Sequence, residues 1–258
     1  MPKGKLDHAF HQVLQKGDKA FVPYIMAGDG GLDQLNEQIS FLEACGATAV
    51  EVGIPFSDPV ADGPTIQKAG IRALKNHVTL EKVLDTLREA KPKRNIPIVV
   101  MSYINPIYAM GVKRFAAYCE QAGIDGLIIP DLPLEEEDII TKQLAIFQIA
   151  LIRLAALTST DHRMQEIINR TEGFLYAVTV TGTTGERAQF KENLAAHLKM
   201  LQEKSAVPVL AGFGVSTPEQ VKELAVNCDG VIVGSRIVDL LHDKNYDAIQ
   251  ELIAAARQ

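Results

Sequence analysis

Eight short β-rich runs alternate with amphipathic helical stretches along this chain, and that alternation limits the folds open to it more than any other feature. The runs lie at 20–26, 48–53, 97–103, 125–130, 149–154, 174–180, 207–211 and 230–233. Between them apolar residues recur at helical spacing. Leu35, Ile39 and Leu42 do so within 32–44, and the stretch 218–226 opens on the cap pair Ser216-Thr217 with Glu219 behind it. Strands joined through helices run parallel. Their cores are continuous Val, Ile and Leu, the pattern of strands covered on both faces. An open doubly wound sheet meets the same conditions, but eight units with no Gly-x-Gly-x-x-Gly after the first run favour closure. The expected fold is α/β: a single-domain (β/α)8, or TIM, barrel over residues 1–258, a length close to the ~250 residues typical of such barrels. An extra N-terminal helix at about 6–16 would cap the barrel bottom, and no linker rich in Pro, Gly or Ser divides the chain.

Composition removes several classes of function. With 47% hydrophobic residues, 22% charged and a net charge of −6, the chain is neither a basic nucleic-acid binder nor a disordered acidic segment. The N-terminal residues carry charge but no apolar core of a leader, and the apolar run 145–157 is broken by Gln148 and Arg153, so a cytoplasmic protein is expected. Cys45, Cys119 and Cys228 are odd in number and far apart, which predicts buried thiols rather than disulfides. The six histidines form no HxH or HExxH spacing, and no metal is expected.

Chemistry concentrates after the second run. In a strand, successive side chains point to opposite faces, so Glu51 shares a face with Ala49 and Gly53 while Val50 and Val52 take the other. A carboxylate among such small neighbours must find a partner, shift its pKa upward or face a cavity; a structural ion pair is the plain alternative. Functional groups of these barrels lie at the carboxyl ends of the strands and in the loops that follow. Glu51 near the end of strand two and Asp62 in the next loop therefore belong to the active face. Asp131, after strand four, reads more simply as a turn or helix-start residue.

Glycine marks the ends of strands seven and eight, in 211–216 and in Val233-Gly234-Ser235-Arg236. Loops at these two places, with the N-terminus of a short extra helix, commonly hold phosphate in this fold, and 235–241 can be that helix. The polar loop Thr181-Gly182-Thr183-Thr184-Gly185-Glu186-Arg187 after strand six is either a lid or a plain surface connection.

Over nearly its whole length the chain resembles the tryptophan synthase alpha subunit family. The resemblance rests on 50–63, on Phe21-Val22-Pro23-Tyr24, on Tyr176 ahead of the Thr-Gly-Thr-Thr-Gly loop, and on Gly212-Phe213-Gly214 and Gly234-Ser235. It implies cleavage of indole-3-glycerol phosphate to indole and glyceraldehyde 3-phosphate, with Glu51 and Asp62 as the catalytic pair. It implies phosphate binding by Gly185, Gly214, Gly234 and Ser235, an indole pocket lined by Tyr24, Tyr176 and Phe213, and Thr184 holding Asp62 once a lid closes. No cofactor is implied in this chain; pyridoxal phosphate would sit in a partner beta subunit, which receives the indole within an alpha2-beta2 tetramer. Pro55, Asp58 and Asn105 match family positions at that contact, and apolar Ile104, Ile107 and Met110, read as loop residues, suit either an interface or packing on the barrel's own helices. Other phosphate-binding barrels, such as sugar-phosphate isomerases, share the glycine-marked site, as would a non-catalytic phosphate-binding subunit; the carboxylate pair is what separates them. Three positions depart from common family forms. Gly30 and Gly31 stand where proline often follows Gly-Asp and should loosen that loop, Tyr24 adds a hydroxyl where Phe is common, and Arg153 on the helix-facing side of an apolar strand requires an ion pair or snorkelling.

Overall fold

A computed structural model describes residues 3–178, 187–212 and 214–257 of the chain. Eight strands form a closed barrel in sequence order, each parallel to its neighbours: β1 Ala20–Met26, β2 Val50–Gly53, β3 Ile98–Met101, β4 Gly126–Ile128, β5 Ala150–Ala156, β6 Leu175–Val178, β7 Val209–Gly212 and β8 Gly230–Val233. The helices are α1 Lys3–Gln15, α2 Leu35–Cys45, α3 Pro64–Lys75, α4 Leu80–Ala90, α5 Ile104–Met110 and α6 Val112–Ala122. They continue with α7 Asp138–Phe147, α8 Asp161–Arg170, α9 Arg187–Lys204, α10 Pro218–Ala225, α11 Ser235–His242 and α12 Tyr246–Ala254.

Period-two alternation sorts the core into two layers. Ala20, Val22, Ala49, Val99, Ile128, Ile152, Phe174 and Leu210 fill the barrel interior, whereas Val50, Val52, Ile98 and Val100 pack outward on the helices. The amino ends of the strands are plugged by α1. Leu6 and Phe10 are buried there, and the Phe10 ring lies 5.4 Å from that of Phe174. Fully burying such side chains stabilises by roughly 1.5–3 kcal/mol each. With the amino end closed by apolar side chains, the open end is the carboxyl one.

Several details differ from the sequence reading. The capping box of α10 joins Thr217 to Gln220 rather than Glu219, because the reciprocal bond needs the third residue of the helix. Residues 104–110 are helix α5, not loop; Ile107 is fully buried and Ile104 and Met110 pack against the core, which leaves Tyr108 as the large exposed apolar side chain of that segment. Gly30 and Gly31 do not loosen the loop after β1. They supply positive φ angles of 88° and 118° to a turn closed by Gly31 N–H on Gly28 O at 3.0 Å, and Asp29 pins it through a two-pronged ion pair with Arg72 at 2.6 and 2.7 Å. Cys119 and Cys228 are buried, but Cys45 is partly exposed.

Arg153 finds its ion pair. Its guanidinium donates to Glu137 at 2.8 Å and to the carbonyls of Leu151 and Arg170, and Arg170 holds the other Glu137 oxygen at 3.0 Å. The Arg153 and Glu137 side chains are 10% and 11% exposed, so the pair is desolvated as well as close.

Candidate active site

The inner-face positions nearest the carboxyl ends of the strands line a cavity of about 420 Å³. Tyr24, Glu51, Met101, Ile128, Leu154, Tyr176 and Ile232 come from the strands, Ala61, Asp62 and Gly63 from the loop after β2, and Gly214, Gly234 and Ser235 from the loops after β7 and β8. Its wall is mainly apolar, with Glu51 and Asp62 on one part and, on another, glycine-flanked backbone beside Arg236 and Asp239 of α11.

Glu51 is paired in register with Tyr24 on β1 and Val99 on β3 and is 1% exposed. Its Oε2 has no hydrogen-bond partner among the described residues. Burial, reinforced by the Asp62 charge, pushes its carboxyl from 4.5 up to about 8. An ion pair of the ordinary structural kind would have the opposite effect. Asp62 is less enclosed, two residues before the start of α3, where Gly63 is the N-cap and Pro64 the first helical residue. Burial raises its carboxyl to about 6, and a hydrogen bond from the Tyr103 side chain opposes that rise. The two acids therefore differ by about two units, and between pH 6 and 8 the favoured state is protonated Glu51 with ionised Asp62.

Two tyrosines fit because glycines face them. A Cβ on Gly53 would come within 2.8 Å of Tyr24 Cε2, and one on Gly212 within 2.7 Å of Tyr176 Cζ. Gly212 is thus a seat for the Tyr176 ring rather than an approach to phosphate. Gly234 differs: its nearest neighbour to an added Cβ is Tyr24 Cβ at 3.7 Å, so a side chain there would meet no serious clash and would take up space beside the cavity. It caps the eight-residue helix α11, whose first residue is Ser235, so free backbone N–H groups lie at the cavity wall.

Of the residues picked out in the sequence, Tyr24, Glu51, Asp62, Tyr176, Gly214, Gly234 and Ser235 line one cavity. Thr184, Gly185 and Phe213 lie outside the described residues. At the rim, Asp58 and Asn105 are exposed, as is Val60 at 82%, whereas Pro55 is buried. Asp131 caps a helix, though not the one that follows it: its Oδ1 accepts the Ile104 N–H at the start of α5, 3.0 Å away. Sequence reading missed Tyr103, whose hydroxyl contacts Asp62 and accepts the Ala61 N–H at 3.0 Å. Its place just past β3 was the available signal.

Closed parallel topology with a carboxylate-bearing cavity at the strand carboxyl ends defines an α/β-barrel protein of the TIM class. The sequence profile described as tryptophan synthase alpha chain matches residues 10–258, and the chain belongs to that family. The tryptophan synthase alpha chain of Oceanobacillus iheyensis is 56% identical over 253 residues, covering 98% of this chain and 97% of the relative. That of Bacillus mycoides is 50% identical over 245 residues, 95% of each chain. Among solved structures, tryptophan synthase subunit alpha from Legionella pneumophila superposes with a TM-score of 0.88 at 32% identity, over 98% of this chain and 97% of the other. A ligand-free tryptophan synthase from M. tuberculosis gives 0.88 at 30% identity, over 98% and 99%. Membership makes this chain an enzyme component of tryptophan biosynthesis.

Proposed function

We propose that this chain cleaves indole-3-glycerol phosphate to indole and glyceraldehyde 3-phosphate. The observation that carries the reading is the buried Glu51 carboxyl, whose Oε2 has no hydrogen-bond partner among the described residues, sharing with Asp62 a cavity that also reaches the N-terminus of α11. Glu51, protonated at neutral pH, gives its proton to indole C3, and positive charge develops at the ring nitrogen. Asp62, ionised, accepts the N–H and stabilises that charge. The Glu51 carboxylate so formed removes the proton from the hydroxyl on the adjacent glycerol carbon. As the aldehyde C=O forms, the carbon–carbon bond breaks and its electron pair restores the aromatic indole. Glu51 ends protonated again, so the cycle needs no other proton donor and no cofactor for its chemistry. The phosphate binds the backbone of Gly214, Gly234 and Ser235, joined by Gly185, while Tyr24, Tyr176 and Phe213 hold the indole and Thr184 secures Asp62 on closure.

The partner in this reading is a pyridoxal-phosphate beta subunit in a cytoplasmic alpha2-beta2 tetramer that receives the indole. Exposed Asp58 and Asn105 on the same end of the barrel as the cavity support that docking face, to which the family match adds Pro55. The test is indole release from indole-3-glycerol phosphate by the full chain, with and without a beta subunit. The expected result is indole formation that rises when the partner is added. An absence of indole in both would refute the reaction, and an unchanged rate with no association would refute the partner.

A further inference from the structure

Asp62 sits in an irregular loop, and its position is fixed from outside that loop. Tyr103, 2% exposed, holds this loop directly beside Asp62: its hydroxyl oxygen accepts the Ala61 N–H at 3.0 Å, and the hydroxyl also favours the charged form of the adjoining Asp62 carboxyl. Its ring packs on Phe56, 5.3 Å between centroids. Tyr103 is also the N-cap residue of α5, and the next amide, that of Ile104, is held by Asp131 from the loop after β4. Loops after β2, β3 and β4 are thus linked through one tyrosine. We propose that Tyr103, braced by Asp131 through the first turn of α5, is a positioning residue that fixes the Asp62 carboxylate and keeps it ionised in the working enzyme. It rests on the reading of Asp62 given above.

The groups facing Asp62 make this separable by pH. Glu51 comes from β2, Tyr24 from β1 and Tyr176 from β6, and each interacts with the Asp62 charge. Arg236 and Asp239 on α11 line the same cavity. Both tyrosines are pushed well above their ordinary range by burial, and Glu51 holds its proton to about 8. Near pH 6, therefore, Asp62 changes charge while Glu51 and the two tyrosines keep their protons. The Tyr103 bond favours its ionised form, so removing the hydroxyl raises the pKa at which Asp62 becomes active. Ala61 is exposed and can turn its N–H to water, which lets the loop tolerate the change.

The experiment is kcat/KM for indole formation against pH, with the full chain and excess beta subunit. In Tyr103→Phe the acidic limb should move up from about pH 6 by about one unit, the effect of one hydrogen bond to a charged group. That lowers kcat/KM about fivefold at pH 6 and by only about a tenth at pH 8. Asp131→Ala should move the limb the same way, and Asp131→Asn should restore it, since an amide oxygen still accepts the Ile104 N–H. A limb that stays in place or moves down in folded Tyr103→Phe, or a loss equal at every pH, overturns the proposal. If Tyr103→Phe does not fold, the two Asp131 variants decide by the same criterion. Asp62→Asn separates the two levels: retained turnover there defeats the role of Asp62 itself, whereas lost turnover with an unmoved Tyr103→Phe limb defeats the tether alone.

Discussion

Replacing Glu51 by Gln should make the folded chain more stable while removing the acid that the proposed reaction uses. An unfolded chain ionises this carboxyl near 4.5, whereas the folded one holds the proton to about 8. Between those values unfolding releases a proton, so stability falls as pH rises across that window and is unaffected by Glu51 below it. At pH 7 the loss is on the order of 3 kcal/mol, from 2.5 units at roughly 1.4 kcal/mol each. Gln is neutral at every pH, fits the same space and leaves the unfolded state without a charge to gain. Its variant should therefore unfold at higher temperature than the parent at pH 7, by about 6–12 °C at roughly 2–4 °C per kcal/mol for a chain of this length. Urea titrations at pH 4.5, 7 and 8.5 provide the assay. Curves that coincide at pH 4.5 and separate progressively above it are expected. A constant difference at all three values, or none, would refute burial of an unpaired acid as the origin of the raised pKa.

The glycines divide into two kinds that behave differently on substitution. Gly212→Ala should displace the Tyr176 ring, lowering both thermal stability and turnover, whereas Gly234→Ala should fold normally and raise KM for the phosphate-bearing substrate; calorimetry beside steady-state kinetics distinguishes them. Glu137→Gln removes the charge that Arg153 and Arg170 share, and should cost about 3 kcal/mol, near the lower end for breaking a buried pair, read as a shift in urea midpoint. An unchanged midpoint would mean that the two carbonyls on Arg153 suffice.

The barrel was legible because its signal is local. Continuous apolar runs mark the strands, and the period of two placed Glu51 on the same face as Ala49 and Gly53, as the structure has it. Features that depend on pairing between distant segments were not. Nothing near Arg153 in sequence announces Glu137, because the contact crosses from β5 to the residue that precedes α7. Tyr103 reaches Asp62 across two loops, and the need for glycine at position 212 comes from a ring on the neighbouring strand. Ile104, Ile107 and Met110, read as loop residues, belong to helix α5, since Pro106 stands in the first turn, where proline displaces no hydrogen bond.

The central claim is that Glu51 is the proton-transfer group in a site where Asp62 balances the developing charge. Single-turnover formation of indole from indole-3-glycerol phosphate by Glu51→Gln, with substrate binding measured in parallel, tests it most directly. The account predicts a rate lower by about 10²–10⁴, the range of a general acid–base contribution, with binding close to that of the parent. A rate near the parent's with Gln at position 51 would contradict it.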